Sequence, residues 1–118
     1  MKYKQAVLTA ALSLLFVPAA MFAHHSLDAQ FDMKKTVTLV GEVTKIDWSN
    51  PHVRLFMDVK EDSNVRNWQV DMGSPNLQMM NGWKIDTYRP GTQVKVELHP
   101  ARDGSKLGYG KSVKALRR

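Results

Sequence analysis

From residue 35 onward, apolar positions alternate with polar ones in the two-residue period of β-strands. In residues 35–48, Val37, Leu39 and Val43 fall on one parity, and Val40, Ile46 and Trp48 fall on the other. A strand that changes face in this way bends to serve two halves of a barrel. Gly41 sits at the change and is the expected bulge or corner. Ser49-Asn50-Pro51 is a turn signal. A second strand over 52–60 puts Val53, Leu55, Met57 and Val59 on one face, and Asp62-Ser63-Asn64 closes a hairpin. A third strand over 66–72 aligns Trp68, Val70 and Met72.

The period then changes. Ser74 is a good N-cap, Pro75 suits the first helical position and Gly82 is a helix stop, which predicts a short helix over 75–81. Leu77, Met80 and Met79 are expected to face the core. Arg89-Pro90-Gly91 turns the chain into a fourth strand over 93–99. Arg102-Asp103-Gly104-Ser105 turns it again into a fifth over 109–116. Three strands, a short helix and two strands, with a long bent first strand, predict an all-β fold: a five-stranded Greek-key barrel of the OB type. The alternative is a small β-sandwich, which in its immunoglobulin form needs about seven strands.

The N-terminus has a different pattern. Lys2 and Lys4 precede an apolar run from Ala6 to Ala20, broken only by Thr9 and Ser13, and small residues follow at Ala19, Ala20 and Ala23. This is the order of a secretory signal peptide, and the run is shorter than the roughly 20 residues of a membrane span. The expected organisation is a signal peptide over 1–23, a lead-in over 24–34 that lays Leu27 and Phe31 against the domain, and a barrel over 35–118. The expected location is periplasmic or secreted, with no transmembrane anchor after cleavage.

The chain contains no cysteine, which excludes disulfides, thiolate metal sites and cysteine nucleophiles. Its formal net charge is +6, and two of those charges, Lys2 and Lys4, leave with the signal peptide. A mild positive excess favours anionic surfaces. For an exported protein the expected partners are a metal ion or an anionic envelope polymer, with nucleic acid excluded.

Cleavage after Ala23 makes His24 the first residue. A free N-terminal histidine offers its α-amine and ring to one metal ion, and an α-amine pKa of about 7.7–8.0 makes loss of its proton inexpensive. His25 adds a second ring. Nitrogen-rich tetragonal sets suit Cu(II), which heads the affinity order of first-row divalent ions. The chain end resembles the histidine brace of exported copper proteins. The other reading of the pair is a polar spacer beside a cleavage site. His52, at the mouth between the first two strands, has two readings. It completes a metal set with His24, or its ring hydrogen-bonds a nearby carbonyl at the start of a strand.

Trp48, Asn50 and Phe56 are candidate ligand-binding residues. Phe56 has the opposite parity from Val53, Leu55 and Met57, and an outward ring can stack on a sugar or other flat ligand; the other reading of the aromatics is core and barrel-end plugs. No catalytic set emerges, so the chain is not expected to be an enzyme. Two functions compete: a periplasmic copper-binding protein using His24, His25 and His52, and a non-catalytic envelope binding module for a sugar polymer or protein partner.

The spaced motifs His24-His25-Ser26, Trp48-Ser49-Asn50-Pro51-His52, Met72-Gly73-Ser74-Pro75-Asn76 and Arg89-Pro90-Gly91 resemble those of a family of small exported bacterial proteins catalogued only as a domain of unknown function. The resemblance spans the chain after the apolar run. It implies an exported small β-domain and brings no activity, ligand or catalytic residue with it.

Overall fold

The computed structural model describes residues 26–117. Five strands close into one barrel in the order β1-β2-β3-β5-β4. They are β1 (Val37–Asp47), β2 (Arg54–Glu61), β3 (Asn64–Asp71), β4 (Gln93–Pro100) and β5 (Leu107–Arg117). The helix α1 (Pro75–Met80) lies between β3 and β4. All neighbours run antiparallel except β3 and β5, which pair in parallel over Gln69–Asp71 and Leu107–Tyr109.

The long first strand is what closes the barrel. Val37 to Glu42 pairs with β4, and Glu42 to Asp47 pairs with β2. The register slips between Val43 and Lys45. One extra residue in the strand exchanges its faces. Leu39 and Val43 are buried before the slip, and Ile46 and Trp48 pack against the core after it. The change of face comes after Val43 rather than at Gly41, so Gly41 is not the bulge. A Cβ there would collide with the carbonyl oxygen of Asp58, so glycine serves the close approach of two strands.

The inward parity of β2 and β3 fills the barrel. Leu55, Met57 and Val70 are fully buried, and Trp68 and Met72 nearly so. Val94, Val96 and Leu98 close the opposite wall.

The helix begins and ends as its residues predict. Ser74 Oγ accepts from the N–H of Leu77 at 3.2 Å, and Gly82 takes a φ of 89°. Its orientation differs from expectation. Leu77, Met79 and Met80 are exposed, and the buried helical residue is Gln78. A helix of six residues has fewer than two turns and cannot present an apolar stripe. It is docked by a polar bond instead, from the N–H of Gly73 to Gln78 Oε1 at 3.1 Å.

Residues 26–30 form a helical turn, and the lead-in is laid against the barrel. Phe31 is 1 % exposed and bridges to Ala101. Arg102 ties down the turn, donating from its backbone N–H to Gln30 O and from Nε to Asp28 O. The segment 1–23, His24 and His25 lie outside the described residues. Among the described residues no helix is long and apolar enough to cross a membrane.

Candidate functional site

The outward residues of β2, β3 and β5 lie side by side because the registers align them. Arg54 is opposite Asp71, and Asp71 is level with Tyr109. In the next row Phe56 is opposite Gln69, which is level with Leu107. The turn at 26–30 and the segment leading into α1 raise walls on either side. The result is a groove of about 560 Å³ lined by Ser26, His52, Arg54, Gln69, Asp71 and Tyr109, among others. That size suits a small ligand.

His52 enters the groove from the β1–β2 connection. Its Nδ1 lies 2.8 Å from the carbonyl oxygen of Met72. A carbonyl only accepts, so Nδ1 donates, and in the neutral ring the lone pair lies on Nε2. The expected alternative for His52, a ring bonded to a nearby carbonyl, is therefore observed. The same bond is the orientation device that metal-ligating histidines use, so the two readings of this residue are compatible. Among the described residues, no three histidine or acidic side chains group as a metal site.

Arg54 is ion-paired with Asp71 but not hydrogen-bonded to it through Nε. Its Nε lies 3.7 Å from Asp71 Oδ1, too far for a hydrogen bond, and this buried nitrogen has no hydrogen-bond partner. The same carboxylate oxygen already accepts from Gln69 Nε2 at 2.8 Å.

The other expected site residues are not brought into this groove. Trp48 is half-buried and packs against the core. Asn50 is exposed and precedes a cis bond to Pro51. Phe56 does lie on the outer face of β2, where the Lys45 ammonium sits 5.4 Å from its ring centroid. His99 is elsewhere, with Nδ1 2.8 Å from the carbonyl of Lys35. Arg54, Asp71 and Tyr109 were missed, although Arg54 shares the parity of His52 and Phe56 and was findable by it.

The chain belongs to a family of unknown function, DUF6152, whose model matches residues 11–111. No curated protein matches it. Its barrel is similar to solved structures of the mitochondrial single-stranded DNA binding protein Rim1 from S. cerevisiae. One form has a TM-score of 0.54 and 16% identity, covering 71% of this chain and 96% of that one. Another has a TM-score of 0.54 and 13% identity, covering 71% and 94%. At such identity the likeness shows the fold alone. It nevertheless corrects one expectation. Nucleic acid does not stand excluded as a partner, because this architecture is shared with proteins named for binding single-stranded DNA.

Proposed function

We propose that this member of the family is an exported copper(II)-binding protein. The metal is held between the barrel, through His52 Nε2, and the chain end, through the α-amine and ring of His24 and the ring of His25. One observation supports the reading above the rest: Ser26 and His52 line the same groove. Adjacent Cα atoms are about 3.8 Å apart, so His25 is tethered one residue from that groove and His24 two. His52 has its Nε2 lone pair free of the Met72 bond. Asp71 offsets the positive charge of Arg54 beside it. The outer face of the second and third strands is also where OB barrels bind their ligands.

The competing arrangement is a local chelate of amine, amide and His25, which an unfolded chain forms equally well. Linkage separates the two. A ligand that binds only the folded state at a hundredfold excess over its Kd stabilises by about 2.7 kcal/mol. At roughly 4–8 °C per kcal/mol for a domain of this length, copper raises the melting temperature by about 10–20 °C. Thermal unfolding is compared with and without Cu(II) for protein beginning at His24, for His52→Ala, and for protein with one extra residue before His24. The shift is expected in the first and lost in both variants. A shift indifferent to both changes, or no copper binding, refutes the folded site and leaves the envelope binding module as the better reading.

A further inference from the structure

The guanidinium of Arg54 stands apart from the other cationic groups that have acidic neighbours. Arg89 reaches Asp86 at 3.1 Å and Lys106 reaches Glu61 at 3.1 Å, whereas Arg54 stays 3.7 Å from Asp71 with its Nε unpaired. Both flanking acids accept from another partner as well. Asp71 Oδ1 is taken by the Gln69 amide. Asp47, opposite Arg54 on β1, accepts from Ser49 Oγ at 2.8 Å. An arginine fork matches a planar carboxylate with two parallel N–H···O bonds, and the Arg54 side chain, 42% exposed, lines the groove.

The rest of that groove mixes polar side chains such as Gln69 and Ser74 with an apolar stretch. Leu27, Leu107 and Tyr109 are half-buried along it, and Leu77 stands at its rim, 45% exposed. A ligand that meets both features has a carboxylate at one end and an apolar body at the other. The geometry points to a binding site for a small monocarboxylate with an apolar body. Its carboxylate pairs with the Arg54 guanidinium, and its body packs on Leu107, Tyr109 and Leu77. Single charge is part of the assignment. Asp71 lies beside the fork and repels a phosphate dianion more strongly than a carboxylate. This site needs no metal; it shares the groove with His52 and is tested separately from the copper reading.

The test uses metal-free protein beginning at His24, titrated with benzoate and followed residue by residue by amide NMR. Benzamide supplies the same body without the charge. Glucuronate supplies the carboxylate on a polar body, and inorganic phosphate supplies the dianion. Benzoate is expected to give saturable shifts centred on residues 54, 69, 71, 107 and 109, with benzamide, glucuronate and phosphate each at least tenfold weaker. Arg54→Gln is expected to lose tenfold or more in benzoate affinity while melting at the wild-type temperature. Absence of saturable benzoate binding overturns the proposal. So does equal affinity in Arg54→Gln, or benzamide binding as tightly as benzoate. Glucuronate or phosphate binding as tightly as benzoate overturns the apolar-body or single-charge assignment respectively. No arm contains copper, so these outcomes are independent of the fate of the copper site.

Discussion

Toward the turn of the β2–β3 hairpin, Glu61 accepts from Trp68 Nε1 at 3.1 Å and pairs with Lys106 at 3.1 Å, while the Lys106 ammonium lies 5.2 Å from the Trp68 ring centroid. At the open end of the same two strands, Arg54 approaches Asp71 no closer than 3.7 Å and its Nε has no partner. The two clusters are similar in composition and opposite in completion. At the turn end each polar group is occupied by another, and the cluster ties the hairpin to the segment entering β5. At the open end the histidine is oriented and the acid accepts from Gln69, but the arginine Nε has no hydrogen-bond partner. A charge cluster that satisfies itself is structural. One that leaves a donor unmatched at the edge of a groove has capacity for something else.

The largest effect is expected at the turn end. Trp68→Ala removes a ring that is 7% exposed and should cost roughly 3–5 kcal/mol. That is a fall of at least about 12 °C in melting temperature, measured by thermal or urea unfolding. A fall of only a few degrees would mean that this end is not the better-knit one. His52→Ala should cost about 1 kcal/mol, the net worth of one hydrogen bond, so any larger loss of copper binding is chemical rather than structural. Lys106→Met should cost less than about 1 kcal/mol, as exposed pairs do. Arg54→Met should be neutral or slightly stabilising, because it removes a buried nitrogen that has no partner. Equal losses in these two variants would erase the distinction between the ends.

Acidity sharpens the same contrast more gently. Hydrogen bonds from Lys106 and Trp68 hold the Glu61 carboxyl below its ordinary range. In the unfolded chain its pKa returns to that range, so the unfolded state takes up the proton first. The contribution is complete above the ordinary carboxylate range and fades as pH falls through the lowered value. Glu61→Gln should therefore flatten the acid limb of a stability–pH curve by lowering stability slightly at neutral pH, while leaving the acid end nearly unchanged. An unaltered acid limb would show that the turn-end cluster carries no linkage.

Much of this molecule was legible from parity and punctuation. Val53, Leu55, Met57 and Val59 point inward as their spacing required, and Ser74, Pro75 and Gly82 bound the helix. The failures share a cause. Gln78 is buried because Gly73 needs an acceptor, and Gly41 is small because Asp58 passes close by. Both requirements come from other parts of the fold, which a local pattern does not contain. The groove is the extreme case. Arg54, Asp71 and Tyr109 become neighbours only through an antiparallel and a parallel register, and no spacing along the chain announces that row.

Phe31, pinned beneath Ala101 and 5.8 Å from Tyr109, has a consequence for anything attached upstream of it. A tail anchored at such a point is on a leash of a few residues. A group on a short leash meets its partner at an effective concentration in the millimolar range, whatever the dilution of the protein. On the proposed copper reading, an N-terminal donor that would be a weak chelator as a free peptide would become one half of an intramolecular pincer, with Phe31 as its rivet.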